Sequence, residues 1–325
     1  MKAAQIDRYG EPGVLRVSEV DRPVPAAGEV LVLVEASSVN GHDVLVRSGG
    51  LKLISGRKFP LGTGLDFAGV VAEVGPGADG PRAGERVWGT LHPRERHLTG
   101  AAAEYVVVPV GRIAPAPAGM PAAEAASLVV AGTTALIALR DSTHLASGEK
   151  VLVRGAAGGV GTAAVQLARA LGGHVTALAR ERYAGVLQEL GADRVLGYDA
   201  GPEQTGSFDV IVDMVGSDLE CYRRRLSKNG RMVTVGLSAA ALAAIALSTV
   251  HGARRIRTFS ANPDAAILRD LAGYVTAGTL RPVVSGVFPL ADIAAAHRAF
   301  AQGGTLGKHV VAVPGAHVDK IRDTN

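Results

Sequence analysis

The sequence predicts an α/β chain in two parts, a β-rich unit followed by a doubly wound parallel sheet with its helices. Three observations predict it. From Met1 to roughly Pro121, β-branched runs are separated by Gly and Pro turns, with few helical patterns. Beyond Pro121, short apolar strands alternate with helical stretches, as βαβ units require. Between Lys150 and Leu171 the chain reads KVLVRGAAGGVGTAAVQLARAL: a strand, a small-residue turn and a helix.

In the first part, Val30–Ala36, Phe67–Val74, Arg86–Trp88 and Glu104–Val108 read as strands of an antiparallel, barrel-like unit. In the second part, the strands are Val151–Arg154, His174–Ala179, Asp209–Met214 and Arg231–Gly236. Thr162–Leu171 and Tyr183–Leu190 are the clearest helices, the first stopped by Gly172-Gly173. Arg255–Ser260 adds a strand at the sheet edge, and Asp264–Ala277 adds a helix. Ser238–Arg254, Ala-rich with a basic end, is either a cover over the cleft or a plain core helix. Leu280–Pro314 returns to mixed strand and helix. No repeat or low-complexity linker divides the two parts, so a ligand cleft is expected between them.

The glycine turn carries the first functional inference. Ala156, Gly158 and Gly161 occupy the three marked places of a G-x-G-x-x-G fingerprint, with Ala for the first Gly. Such a turn aims free N–H groups and a helix dipole at a pyrophosphate. A plain tight turn between strand and helix is the alternative. The next strand, HVTALA, should end at the adenosine ribose, and Arg180, Glu181, Arg182 and Tyr183 follow it. Two guanidiniums suit a 2′-phosphate, and Tyr183 can stack on adenine or offer its hydroxyl. Glu181 stands where an NAD-type acid would be, but Arg180 is the residue directly after the strand, which favours NADPH. Otherwise Arg180–Arg182 is only the charged start of a helix.

Composition narrows the class. The chain has 325 residues, 47% of them apolar, and room for two domains. A net charge of +4 comes from scattered Lys and Arg without a basic stripe, so nucleic acid is not an expected partner. Cys221 is the only cysteine, which leaves no disulfide framework and no C-x-x-C metal motif. Met1–Pro12 has no apolar h-region, and the longest apolar run, Ala239–Leu247, is short for a membrane span. A soluble, cytoplasmic protein is expected.

Seven stretches together resemble a known family: SSVNGHDVLVRSGG (Ser37–Gly50), PLGTGLDFAGVVAEVG (Pro60–Gly75), AGERVWG (Ala83–Gly89), AGTTAL (Ala131–Leu136), GAAGGVG (Gly155–Gly161), LGADRVLGYD (Leu190–Asp199) and GTLGKHVVAV (Gly304–Val313). In order and extent they resemble the zinc-free, zeta-crystallin-like quinone oxidoreductases of the medium-chain dehydrogenase/reductase superfamily. The resemblance implies a GroES-like catalytic domain (residues 1–121 and 279–325) and a Rossmann domain (residues 122–278). It also implies a homodimer paired through the edge strand. Zinc-dependent relatives carry a Cys ligand, a Gly-His-Glu motif and a four-cysteine lobe; here Asn40 and Gly64-Leu65-Asp66 stand in the first two places, and no metal is expected. His92 and His97, in a basic loop, lack a third ligand and are read as a lip of the cleft.

Carried over residue by residue, the resemblance places Gly158, Gly159, Val160 and Gly161 at the pyrophosphate and Arg180, Arg182 and Tyr183 at the 2′-phosphate. It places Tyr198 near the adenine or its ribose, Thr134 on the nicotinamide side, and Val235, Gly236 and Leu237 beneath the nicotinamide. Lys308 reaches in from the C-terminal segment. At the reaction centre Asn40 either holds the nicotinamide ribose or donates to a substrate carbonyl, unless Asn40-Gly41 is only a turn. His42 is a proton source or a bystander, and Asp43 caps the following helix. Some quinone reductases have a Tyr two places after Asp43; Leu45 stands here, so solvent is an expected proton source.

The expected activity is NADPH-dependent reduction of a quinone or an activated C=C bond. An enoyl-thioester reductase, with Arg94, Arg96 or Arg254 meeting an acyl carrier, is the second reading. A non-catalytic NADPH- or RNA-binding role is the third.

Overall fold

The computed structural model describes residues 1–52, 58–92, 99–236 and 239–313. The strands are β1 (Lys2–Ile6), β2 (Leu15–Glu19), β3 (Glu29–Ser38), β4 (Leu61–Gly62), β5 (Asp66–Val74), β6 (Arg86–Thr90), β7 (Tyr105–Pro109), β8 (Ile113–Pro115), β9 (Lys150–Arg154), β10 (His174–Leu178), β11 (Arg194–Leu196), β12 (Phe208–Asp213), β13 (Leu226–Thr234), β14 (Ile256–Thr258), β15 (Val284–Pro289) and β16 (Lys308–Ala312).

The first part is antiparallel for most of its extent. Its main sheet runs β15-β16-β3-β5-β6-β8, with β7 pairing the first half of β3 on the edge whose second half pairs β16. The ten-residue β3 is its axis, because Val30–Val34 is apolar on both faces and almost wholly buried. The C-terminal segment rejoins this sheet, as Val310, Val311 and Ala312 of β16 pair antiparallel with Ser38, Ser37 and Ala36.

The second part is a parallel sheet in the order β11-β10-β9-β12-β13-β14. Counted from β9, this is the 3-2-1-4-5-6 order of a dinucleotide-binding sheet, with its reversal between β9 and β12. Val151, Leu152 and Val153 are fully buried, as a central parallel strand demands. The helix Gly159–Ala170 follows β9 and packs Ala163, Ala164 and Leu167 inward. It ends where expected: Gly172 takes the left-handed conformation (φ 84°) and donates to the Arg169 carbonyl. β14 is an edge strand, as its position in the sequence predicts.

The helix Ala122–Leu136, continued by a wider turn to Ser142, joins the parts. It packs on β3, β5 and β16 and on the helix Gly159–Ala170. It is apolar all round, so no helical periodicity marks it in the sequence. The uninterrupted apolar run Ala239–Leu247 is shorter than this helix, whose apolar residues are broken by Glu124, Ser127, Gly132, Thr133 and Thr134. Among the described residues, Ala122–Ser142 is long and apolar enough to cross a membrane, and 78% of its apolar window is buried inside the fold.

Ser238–Arg254 is not a plain core helix. In the helix Ala239–Leu247 and the turn after it, Ala241 is buried while Leu242, Leu247 and Val250 are exposed.

Candidate active site and dinucleotide crevice

The crevice opens at the carboxyl ends of β9 and β12, where adjacent strands send their connections to opposite faces. Gly155 has a left-handed φ of 73°, which turns the chain out of β9. A Cβ on Gly161 would overlap the Gly155 carbonyl, so this glycine permits close packing of helix on turn. Gly158 is the exposed N-cap and brings no side-chain acceptor. The first helical bond is donated by Thr162 to the Gly158 carbonyl. The N–H groups of Val160 and Gly161 therefore stay free of intrahelical partners, while that of Gly159 faces the Gly307 carbonyl in the bridge between Gly158 and Gly307, and this cradle fits a pyrophosphate.

A buried ion pair lies directly across the strand reversal. Arg154 donates to Asp213 at 2.5 Å and to the Ser217 carbonyl at 2.8 Å, and its guanidinium stacks 3.7 Å from the Tyr222 ring. Asp213 also accepts from the Gly216 N–H and the Thr234 hydroxyl, both at 2.8 Å. This network fixes the ends of β9, β12 and β13 together. Sequence reading passed over both residues. Their signal was an ionisable residue of opposite sign ending each of two apolar strands, KVLVR and VIVD.

The predicted cofactor residues fall along this crevice in two groups. Tyr198 is half-exposed; burial pushes its phenol up against the opposing pull of Arg154 and Arg180. Arg180 and Arg182 are exposed and Tyr183 half-buried, and all three converge on the turn at Gly304. Val235 donates to the Asp213 carbonyl. Gly236 touches Gly216 backbone to backbone, leaving no space for a Cβ. Thr134 is buried in the last turn of its helix. Leu237, and likewise Arg94, Arg96 and His97, lie outside the described residues.

At the other end, Asn40, Asp66 and Lys308 form one buried chain of contacts. Lys308 follows Gly307, whose N–H donates to the Ala157 carbonyl. Its stem runs across Gly159, where a Cβ would collide with it, and its ammonium reaches Asn40 Oδ1 (2.6 Å) and the Val39 carbonyl (2.8 Å). Asn40 Nδ2 donates to Asp66 Oδ2 (3.2 Å) and to the Ser38 carbonyl (3.1 Å). Asp66 further accepts from the Ser38 N–H (2.7 Å) and hydroxyl (2.6 Å). An ammonium only donates and a carboxylate only accepts, so the amide can face one way. Both Nδ2 protons are thereby engaged within the chain, and Oδ1 takes the Lys308 ammonium and faces the Asp43 N–H of the capping box. Burial drives Lys308 down and Asp66 up, each toward its neutral form, while their mutual attraction opposes the shift.

Asn40 is also the N-cap of the helix Gly41–Ser48. Its N–H donates to Asp43 Oδ2 at 2.8 Å, the capping role expected of Asp43. Burial alone would raise Asp43, yet the hydrogen bond and charge of His42 and the Asn40 N–H hold it below the ordinary carboxylate range. His42 Nδ1 lies 4.0 Å from Asp43, with its ring a quarter exposed. The donor set does not fit a tetrahedral zinc. Leu65 offers no ligand atom, Asp66 is saturated by Ser38 and Asn40, and no three Cys, His, Asp or Glu side chains converge among the described residues.

Comparison with known proteins gives this geometry its class. Residues 26–118 match the family described as alcohol dehydrogenase GroES-like domain, and residues 190–311 match that described as zinc-binding dehydrogenase. The chain is 32% identical to the chloroplast envelope quinone oxidoreductase homolog of Arabidopsis thaliana, over 96% of this chain and 98% of that one. It is 30% identical to the mitochondrial NAD(P)H oxidoreductase RTN4IP1 of Danio rerio, over 96% and 91% of the two chains. The solved quinone oxidoreductase of Coxiella burnetii superposes with a TM-score of 0.88 at 29% identity, covering 96% of this chain and 99% of that one. A GroES-like unit joined to a dinucleotide-binding sheet defines a pyridine-nucleotide-dependent oxidoreductase. The chain belongs to the quinone oxidoreductase family of the medium-chain dehydrogenase/reductases.

Proposed function

We propose that this chain is an NADPH-dependent, zinc-independent reductase of quinones or activated alkenes. The observation that carries the reading is the Lys308–Asn40–Asp66 chain, which ties the glycine turn to the place where zinc-dependent relatives keep their metal, with donors unsuited to zinc. Bound NADPH would supply the hydride. The free N–H groups of Val160 and Gly161, with Gly158 and Gly159 beside them, hold its pyrophosphate, and Arg180, Arg182 and Tyr183 meet its 2′-phosphate. Tyr198 flanks the adenosine, while Thr134, Val235 and Gly236 flank the nicotinamide. Asn40 stands at the nicotinamide ribose with its amide direction fixed by Lys308 and Asp66; with both Nδ2 protons engaged, it is not the free donor to a substrate carbonyl that the sequence also allowed. His42, partly exposed beside Asp43, holds a proton that it can exchange with solvent and pass to the reduced product.

The exposed Leu247 and Val250 near the edge strand β14 support a homodimer built across that edge. The single cysteine supports residence in a reducing compartment such as the cytoplasm.

The test is oxidation of reduced nicotinamide, followed by absorbance, with benzoquinone, phenanthrenequinone, an alkenal and crotonyl-CoA. NADPH and NADH are compared, with and without a chelator. Turnover with NADPH on a quinone or alkenal, indifferent to chelator, is the expected result. Activity confined to the thioester, or lost to the chelator, would overturn the reading.

A further inference from the structure

The turn between the helix Ile293–Gln302 and β16 contains two left-handed glycines, Gly303 (φ 60°) and Gly304 (φ 66°). The Gly304 carbonyl accepts from the Tyr183 hydroxyl at 2.6 Å and from the Arg182 guanidinium. The Arg180 guanidinium fills the space where a Cβ of Gly304 would stand. Two side chains suited to a phosphate thus close on one neutral carbonyl, and a third packs beside it. A few residues on, the same segment bonds Gly307 to Ala157 and lays Lys308 across Gly159 to Asn40. Residues 303–308 are therefore a strap touching both ends of the dinucleotide crevice.

Hydrogen-bond capacity decides how this strap meets a ligand. A tyrosine hydroxyl carries one proton. While Tyr183 gives it to Gly304, it has none for a phosphate oxygen. Arg182 has further N–H groups, but an anionic phosphate is a stronger acceptor than a carbonyl and competes for those already committed. At Gly304, the contact between strap and nucleotide domain rests on these same donors, while Gly307 and Lys308 hold its other end.

We propose, resting on the NADPH reading above, that the Gly304 carbonyl stands in the acceptor position of the 2′-phosphate, and that a 2′-phosphorylated adenine nucleotide takes Tyr183 and Arg182 from it and unlatches the strap. A nucleotide with a bare 2′-hydroxyl leaves the latch closed. Coenzyme choice is then read twice: directly at Arg180–Tyr183, and again through the strap at Lys308 and Asn40.

Hydrogen exchange on the full-length protein tests this with two ligands that lack nicotinamide, adenosine 2′,5′-bisphosphate and adenosine 5′-monophosphate. Calorimetry fixes equal occupancy beforehand. The bisphosphate should speed exchange in residues 303–308 by about 5-fold, the worth of one net hydrogen bond, and the monophosphate should not. Tyr183→Phe should show the faster exchange with no nucleotide present, and the bisphosphate should add little to it. Binding of the bisphosphate with unchanged or slower exchange would overturn the latch and leave the NADPH reading intact. Failure of the bisphosphate to bind would overturn both.

Discussion

The two ends of the crevice hold their polar groups in opposite ways. At the Asn40 end, Lys308, Asn40, Asp66 and Ser38 are buried and hydrogen-bond chiefly to one another and to neighbouring backbone of this chain. At the adenosine end, Arg180 and Arg182 are exposed and Tyr183 half-buried; Arg182 and Tyr183 meet a single backbone carbonyl, and Arg180 packs beside it. A buried charge that loses its partner keeps the cost of its desolvation, whereas an exposed one regains water. The first end is therefore rigid and intolerant of change. The second can give up its partners to a ligand at little cost.

Breaking the buried end should have the largest effect. Lys308→Met keeps the stem over Gly159 but strands the Asp66 carboxylate, and should cost about 3 kcal/mol of stability in urea unfolding. It also frees the Asn40 amide to rotate, so kcat for NADPH oxidation should fall roughly 100-fold. Adding Asp66→Asn should recover part of the stability and none of the kcat. Additive losses in stability would show that the two charges are not coupled.

A second buried group near this end sharpens the contrast through pH. His297 is 1% exposed, and burial pushes its imidazole down to about 4, against the pull of Asp43 and with the push of Arg47. Its folded value lies below the free value of 6.5, so the unfolded chain binds more protons between the two. Stability is thus complete above the higher value and lost as pH falls toward the lower one, by roughly 3 kcal/mol. Urea midpoints measured across that window should fall with pH, and His297→Leu should flatten the slope. An unchanged slope in the variant would assign the effect to another group.

The same contrast explains what could be read without a structure. Strands such as Val151–Arg154 and the helix after Gly158 were legible because local pattern and turn chemistry agree there. The helix Ala122–Leu136 was not, since it is buried on all sides and shows no amphipathic period. Asn40 and Lys308 could each be named, but not their contact, which spans 268 residues. Nor could sequence show that Asp66 holds the Asn40 amide, because a motif marks a position and not the direction its side chain takes. At the exposed end, Arg180, Arg182 and Tyr183 follow a strand in order and were legible together. The Gly304 carbonyl that Arg182 and Tyr183 share is backbone and leaves no residue-type signal.

The smallest expected effect tests whether the adenosine end is as separable as its exposure implies. Arg180 packs on Gly304 through its guanidinium and lies in no ion pair among those described. Arg180→Met preserves that packing and removes the charge. An exposed charge-assisted contact is worth about 1.5 kcal/mol, so NADPH affinity should weaken roughly 10-fold by fluorescence titration, with NADH unaffected. Stability should stay within about 0.5 kcal/mol of the parent, as for other surface changes. Equal weakening toward both coenzymes would mean that Arg180 serves the strap rather than the phosphate, and the two ends would then be less independent than their burial suggests.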